Sequence, residues 1–162
     1  MTSNLLQLVR PKQLEEIVGQ KHILNQNHWI CNLENSPLPN LIIYGPPGTG
    51  KTTFAEIMSK KTNKKLFKIN ATNSSLSEIR EITKKVGTLE CPTSAVLYID
   101  EIQYFNKKQQ QSLLEFMESG EITLIASTTE KPYFCVYPAI LSRSQVLEFK
   151  LVEKEEIEKA IT

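Results

Sequence analysis

The eight residues GPPGTGKT at positions 45–52 constrain the fold of this chain more than any other feature of its sequence. They match the pattern G-x-x-x-x-G-K-[ST], follow the apolar run LIIY, and lead into a helical pattern that begins at Lys51. Such a loop turns backbone N–H groups toward a phosphate, and the helix adds the partial positive charge of its N-terminus. We therefore predict a nucleoside triphosphate site at the end of a buried strand.

The side chains of this loop have distinct predicted parts in the site. Lys51 is expected to reach the β- and γ-phosphates, and the Thr52 hydroxyl is expected to bind Mg²⁺. The predicted nucleotide contacts are Gly45, Pro46, Pro47, Gly48, Thr49, Gly50, Lys51, Thr52 and Thr53.

Short apolar runs alternate with helical patterns along the chain, which is typical of a parallel sheet with crossover helices. We predict strands at Leu41–Tyr44, Leu66–Asn70, Ala95–Ile99, Ile122–Ser127 and Val146–Phe149. Helices are predicted to follow Gly50, Ser75 and Asn106. In the last two cases the spacings Ser75–Glu78 and Asn106–Gln109 predict capping boxes.

A further helix is predicted over Lys21–Asn35, with Ile23, Ile30 and Leu33 facing inward. We therefore divide the chain into a flanking segment at 1–40, a nucleotide-binding core at 41–150, and a charged helix at 151–162 that we expect to be cut short.

Composition excludes several classes of protein. The 19 basic and 18 acidic residues give a net charge of +1, so no strong overall field draws the chain to nucleic acid or to an anionic membrane. Its three cysteines are scattered, which argues against a disulfide framework or a zinc module. The longest apolar runs are strand-sized, far short of a membrane span. We expect a cytoplasmic protein with no membrane partner.

A second half of the nucleotide site is predicted where the strand at Ala95–Ile99 ends in Asp100 and Glu101. Ligands of open parallel sheets lie beyond the carboxyl ends of the strands, so both carboxylates should face the phosphates. We expect Asp100 to hold Mg²⁺ through water and Glu101 to activate the water that attacks the γ-phosphate, which favours hydrolysis. Asn70, Thr128 and Thr129 end other strands at the same edge.

Together these motifs resemble those of the AAA+ ATPases. Arg10-Pro11 and the stretch IVGQ at 17–20 resemble the segment that folds over adenine, which implies that Val18 and Gly19 contact the nucleotide. ASTTE at 126–130 resembles the sensor 1 strand end, with Thr129 as the sensor and Thr128 as the alternative. AILSR at 139–143 resembles the arginine-finger segment, with Arg143 as the finger.

The resemblance implies an α/β fold, the three-layer sandwich of the P-loop NTPases. It would have a five-stranded parallel sheet with helices on both faces, as in an AAA+ core without its helical lid. The implied ligands are ATP or ADP and Mg²⁺.

Within the AAA+ ATPases, FNKKQQQSLLEFMESGEITLIASTTEKPYF at 105–134 is similar to the replication-associated recombination protein A family. That likeness implies a DNA-dependent ATPase in replication-fork maintenance, recombination and repair. The full-length protein would form a homo-oligomer, a tetramer in that family. It would act on single-strand gaps, fork ends or junction ends, with single-strand-binding protein as a candidate partner. Gln103, Tyr104, Lys131 and Tyr133 depart from the family pattern.

Several alternatives stay open at this point. The chain also fits a clamp-loader subunit, or a scaffold in which ATP sets conformation with little hydrolysis. Arg143 is a finger or a surface arginine paired with Glu148 or a nearby loop. Asn70 is a switch that restrains Glu101 or a strand-end residue that satisfies local backbone groups.

The nucleic-acid contacts are equally open. Tyr104 and Phe105 beside Lys107-Lys108 are the best local candidates. The lysine pairs at 60–61, 64–65, 84–85 and 107–108 are either DNA contacts or solvated helix ends and turns.

Overall fold

Five parallel strands form the centre of the molecule. The computed structural model describes residues 22–23, 30, 33, 37–91 and 93–151. The strands are β1 (Asn40–Tyr44), β2 (Leu66–Asn70), β3 (Ala95–Asp100), β4 (Ile122–Thr128) and β5 (Ser144–Glu148). They lie in the order β2-β3-β4-β1-β5, and each pair is parallel. The predicted five-stranded parallel sheet is therefore confirmed.

Helices connect these strands. They are α1 (Lys51–Lys61), α2 (Leu76–Lys85), a 3-10 helix (Ile102–Tyr104), α3 (Lys107–Glu118), α4 (Pro132–Cys135) and α5 (Pro138–Ser142). The helices α4 and α5 were not predicted from the sequence. Each begins with a proline, whose fixed φ suits the first helical position and whose missing N–H costs nothing there.

The sheet has one apolar cluster on each face. Val96 and Tyr98 of β3 point into the cluster that includes Phe54 and Met58 of α1. The alternate residues of β3 point into the other cluster, which includes residues of α2 and α3, among them Ile79 and Leu113. Period-two alternation explains this division, and burial on both faces explains why the central strands read as continuous apolar runs. The helices on both faces confirm the predicted three layers.

The two predicted capping boxes have different outcomes. Asn106 accepts a hydrogen bond from the Gln109 N–H, and the Gln109 side chain accepts one from the Asn106 N–H, so that capping box is confirmed. The box at Ser75 is wrong. Its hydroxyl lies 2.6 Å from the Ser77 hydroxyl and does not cap α2. A nearby polar side chain has competed with the backbone for this short side chain.

The residues described before β1 agree with the predicted inward face. Ile23, Ile30 and Leu33 are buried in the α1-side cluster. The remainder of the predicted helix at Lys21–Asn35 lies outside the described residues, as do Val18, Gly19 and the predicted helix after residue 151. No helix in the described part of the chain is long and apolar enough to cross a membrane.

Candidate nucleotide-binding site

The phosphate-binding loop connects β1 to α1 at the edge of the sheet where the parallel strands end. Gly45 has φ 151, and a Cβ there would lie 2.1 Å from the Phe149 carbonyl oxygen. Gly50 precedes α1 in a left-handed conformation with φ 94 and accepts a hydrogen bond from the Phe54 N–H over 2.9 Å. The close approach at the first position and the positive φ at the second explain why both are glycine.

Lys51 folds back onto the loop that it follows. Its Nζ donates to the carbonyl oxygens of Gly45 at 2.6 Å and Pro46 at 2.9 Å, and the residue is only 8% exposed. Burial lowers the pKa of Lys51, while the nearby carboxylates of Glu101 and Asp100 act in the opposite direction. A buried ammonium held by carbonyl oxygens can exchange them for phosphate oxygens with little loss of hydrogen bonding.

A chain of hydroxyl groups connects the two predicted metal-binding residues. Tyr98 Oη donates to Ser127 Oγ over 2.9 Å, and Ser127 Oγ donates to Asp100 Oδ1 over 2.7 Å. Tyr98 Oη also lies 3.2 Å from Thr52 Oγ1. The hydroxyl hydrogen of Tyr98 is already bonded to Ser127. Tyr98 therefore accepts from Thr52, whose hydroxyl is the donor. All three protons therefore point along the chain toward the Asp100 carboxylate.

Tyr98 and Ser127 were not predicted from the sequence as site residues. Both are almost fully buried, and burial raises the pKa of Tyr98. A signal did exist, since Tyr98 stands two residues before Asp100 and so shares its face of β3. Ser127 stands at the corresponding end of β4, which lies beside β3. The residue types alone did not distinguish these hydroxyls from ordinary strand positions.

The hydroxyl chain suits a magnesium ion. The Thr52 hydroxyl donates a hydrogen bond to Tyr98, so the lone pairs of Thr52 Oγ1 are available to a cation. The Asp100 carboxylate supplies a second oxygen. Mg²⁺ prefers oxygen ligands, and it takes one or two from protein while keeping water and phosphate oxygens. In the described part of the chain no group of three or more His, Cys, Asp or Glu side chains is placed to hold a metal.

Glu101 has an unusual backbone conformation for a residue with a side chain, with φ 58 and ψ 52. Such a left-handed conformation costs on the order of 1–3 kcal/mol and occurs often at functional sites. Its Oε2 accepts a hydrogen bond from Gln103 Nε2. The strained turn lets the chain leave β3 abruptly, directly after Asp100.

Three further residues, at the ends of β2 and β4, were predicted to gather at the carboxyl ends of the strands. Asn70 is paired in register with Asp100, and its Oδ1 accepts hydrogen bonds from the Thr72 N–H and hydroxyl. These bonds match the alternative in which Asn70 is a strand-end residue that satisfies local groups, and not the one in which it restrains Glu101. Thr128 is buried, and its Oγ1 accepts from the Glu130 N–H over 3.0 Å. Thr129, the predicted sensor, is exposed just beyond β4.

Arg143 lies at the amino-terminal ends of the strands, opposite to the ends that carry the phosphate-binding loop. It directly precedes β5, and its carbonyl oxygen accepts from Asn40 Nδ2, at the beginning of β1. Its side chain is 47% exposed and forms an ion pair of 3.1 Å with Glu118. The alternative to a finger was a surface arginine paired with Glu148 or a nearby loop, and the partner observed is Glu118 instead. Five strand residues, about 16 Å, separate Arg143 from the end of β5.

The predicted nucleic-acid contacts are only partly available. Phe105 is 2% exposed and belongs to the core, so its predicted contact is wrong. Its apolar ring packs in the cluster that includes residues of α2 and α3. Tyr104 is 62% exposed. Lys65 and Lys84 form ion pairs with acidic neighbours, Glu90 and Glu81, which is typical of solvated surfaces.

Comparison with known proteins agrees with this geometry. Residues 41–151 match the model of the ATPase family associated with various cellular activities (AAA). The chain is 40% identical over 159 residues to ATPase WRNIP1 of Dictyostelium discoideum, covering 97% of this chain and 18% of that protein. It is 37% identical over 156 residues to replication-associated recombination protein A of Escherichia coli K12, covering 95% and 35%. The chain thus spans well under half the length of these relatives.

Solved structures show the same fold. A mutant of Thermotoga maritima RuvB superposes with a TM-score of 0.79 at 23% identity, covering 95% of this chain and 53% of that one. The T. maritima RuvB Holliday junction branch migration motor gives 0.72 at 24% identity, covering 94% and 52%.

Proposed function

The chain belongs to the AAA family of ATPases, and we propose that it is the ATPase core of a protein that hydrolyses ATP to ADP and phosphate under the control of DNA. The observation that supports this most is the hydroxyl chain from Thr52 to Asp100. It connects the phosphate-binding loop to β3, which ends in Asp100 directly before Glu101, so the proposed metal-binding residues and the proposed base lie together at the carboxyl ends of the strands.

The residues of the loop bind and orient the nucleotide. Lys51 exchanges the carbonyl oxygens of Gly45 and Pro46 for phosphate oxygens, and the N–H groups at the start of α1 face the same anion. Thr52 and Asp100 hold Mg²⁺, the latter through water. The ion, when bound, neutralises charge that develops on the phosphate oxygens.

Glu101 orients the attacking water and takes its proton. General-base catalysis of this kind contributes about 10²–10⁴-fold. Thr129 lies at the end of the neighbouring strand, where its hydroxyl can bond a γ-phosphate oxygen or the water. Asn70 Oδ1 accepts hydrogen bonds from the Thr72 N–H and hydroxyl, so we assign Asn70 the local strand-end role and not the switch on Glu101. Val18 and Gly19 complete the adenine side of the site.

Arg143 acts on the site of a neighbouring subunit. It lies at the sheet edge opposite to its own phosphate-binding loop, so it is remote from the γ-phosphate bound by its own chain. An arginine supplied in trans is worth about 10³–10⁵ in turnover. The proposal therefore includes a homo-oligomer of the full-length protein, tetrameric as the resemblance implies, and weak turnover by this fragment alone.

Control by DNA is supported by the relatives. The name of replication-associated recombination protein A of Escherichia coli refers to replication and recombination, and this chain is 37% identical to it over 156 residues. The proposed DNA structures are single-strand gaps, fork ends and junction ends.

The test is ATP turnover by the full-length parent protein, with and without gapped or junction DNA. Strong stimulation by DNA alone is expected. Turnover that ignored DNA and rose with a sliding clamp would instead favour a clamp-loader subunit. ATP binding without turnover under every condition would favour a scaffold.

A further inference from the structure

A cavity of about 630 Å³ opens beside the catalytic edge, on the face of the sheet away from α1. The 3-10 helix, the start of α3, α4 and the start of α5 surround it. The buried Gln110 side chain connects these elements through three hydrogen bonds. It is 3% exposed, its Nε2 donates to the carbonyl oxygens of Phe105 and Cys135, and its Oε1 accepts from the Tyr137 N–H over 2.7 Å. The cavity is therefore a built feature of the fold.

The rim of the cavity carries aromatic rings in solvent. Tyr104 is 62% exposed and Phe134 is 87% exposed, and both line the cavity. Exposing a phenylalanine to this degree forfeits about 1.5–3 kcal/mol of burial, so a ring presented in this way is suited to a flat apolar ligand. Aromatic side chains at such positions stack on nucleobases.

The charges near the cavity suit a phosphate backbone. Lys107 lines the cavity, and its Nζ lies 5.9 Å from the ring centroid of Tyr137, another lining residue. The ammonium group therefore lies over the cavity wall. The side chains of Lys108 and Lys131 are exposed beside lining residues. Glu130 also lines the cavity and offsets one of these three positive charges.

One polar atom in this wall lacks a partner. Gln103 Oε1 is buried and accepts no hydrogen bond from the residues that the structure describes. Its own Nε2 donates to Glu101, the proposed catalytic base. A buried acceptor without a donor costs about 1–3 kcal/mol, and a ligand that donates to it recovers that energy. Every nucleobase carries at least one N–H that can do so.

From these four observations we propose that the cavity takes one unstacked base of single-stranded DNA, with Tyr104 and Phe134 against its faces, and that Gln103 reports its arrival to Glu101. The base donates to Gln103 Oε1 and so fixes the amide whose other end holds the Glu101 carboxylate. The lysines bind the flanking phosphates. This rests on the proposed function, because it gives the DNA-responsive step a place and a mechanism.

The binding step is tested with the full-length protein and a short thymidine oligonucleotide that carries one fluorescent aminopurine base. Stacking in the cavity should quench its fluorescence. Phe134→Ala should weaken the affinity about 5- to 150-fold, since one base–aromatic stack is worth about 1–3 kcal/mol. Tyr133→Ala is the matched control. Tyr133 is the neighbouring residue in α4 and is 71% exposed, but does not line the cavity, so the parental affinity is expected.

The coupling step is tested with Gln103→Met, which keeps the length of the side chain and removes the amide. The readout is the ratio of DNA-stimulated to basal ATP turnover. That ratio should fall toward one while the oligonucleotide still binds through the aromatic rings. A ratio equal to the parental one would overturn the coupling role of Gln103.

The outcomes separate this inference from the proposed function. If DNA stimulates turnover but Phe134→Ala binds the oligonucleotide as the parent does, DNA control stands and the cavity proposal is overturned, which leaves the cavity to a protein partner. If the parent quenches no aminopurine, the base-binding role is overturned whatever the turnover. If quenching depends on Phe134 but turnover ignores DNA, base binding is supported and DNA control fails.

Discussion

The Tyr98 hydroxyl donates a hydrogen bond to Ser127 Oγ over 2.9 Å, between two strands in the buried centre of the sheet. This contact aligns the protons of three hydroxyl groups toward Asp100 and turns the lone pairs of Thr52 toward the proposed metal position. A buried chain of this kind is strengthened by the low local dielectric when every member is satisfied.

Tyr98→Phe should raise the Mg²⁺ concentration needed for half-maximal ATP turnover several-fold, because Thr52 loses the acceptor that orients it. The free energy of unfolding should fall by about 1–3 kcal/mol, since Ser127 loses a buried partner. A magnesium titration of turnover checks the first effect and denaturant unfolding the second. Tyr44→Phe is the control, because the Tyr44 hydroxyl interacts with Glu148 and takes no part in the hydroxyl chain. An unchanged magnesium requirement would refute the positioning role.

Lys51→Ala should abolish detectable nucleotide binding, because it removes the cation that faces the phosphates. Binding of a fluorescent ATP analogue, followed by anisotropy, measures this. Lys60→Ala, an exposed lysine of the same helix, should bind as the parent does. Equal affinity for the Lys51 variant would show that the loop holds the nucleotide through its backbone alone.

Glu101→Gln should keep nucleotide affinity and lose about 10²–10⁴-fold in turnover, because the amide cannot take a proton from water. Parallel measurements of affinity and steady-state phosphate release separate the two effects. Glu115→Gln, on the exposed surface of α3, is the control. Turnover at the parental rate would show that the base is another residue.

Arg143→Ala should bind ATP and hydrolyse it about 10³-fold or more slowly in the assembled full-length protein. The decisive experiment mixes this variant with Lys51→Ala. Each is inactive alone, but a mixed oligomer places an intact Arg143 beside an intact phosphate-binding loop and should recover turnover. Stability should change by less than about 1 kcal/mol, since the pair with Glu118 is exposed. No recovery on mixing would contradict action in trans.

Gly45→Ala should destabilise the protein by several kcal/mol, because the new methyl group would overlap the Phe149 carbonyl oxygen at 2.1 Å. Gly87→Ala is the matched control. Gly87 also has a positive φ, of 87, but a Cβ there meets nothing within 4 Å, so only the conformational cost of about 1–2 kcal/mol applies. Thermal unfolding of both variants tests the difference, and equal melting temperatures would show that the loop moves to accept the methyl group.

Features that depend on neighbours along the chain could be predicted from the residues alone. The glycine-bounded loop, the five strands and the capping box at Asn106 follow from residues within a few positions of each other, because glycine conformation, side-chain alternation and helix capping are local effects. That Asp100 and Glu101 face the phosphates stays a prediction, which rests on the rule that ligands lie beyond the carboxyl ends of parallel strands.

Contacts that depend on which strands are adjacent could not be predicted and are first seen in the fold. Tyr98 meets Ser127 because β4 lies beside β3, and Thr52 joins them because α1 packs on that face. Phe105 is buried because its ring packs in the cluster between the sheet and the helices α2 and α3, and the position of Arg143 follows from the direction of β5. These relationships depend on the packing of elements that are distant in the sequence, which the period and capping of a single element do not specify.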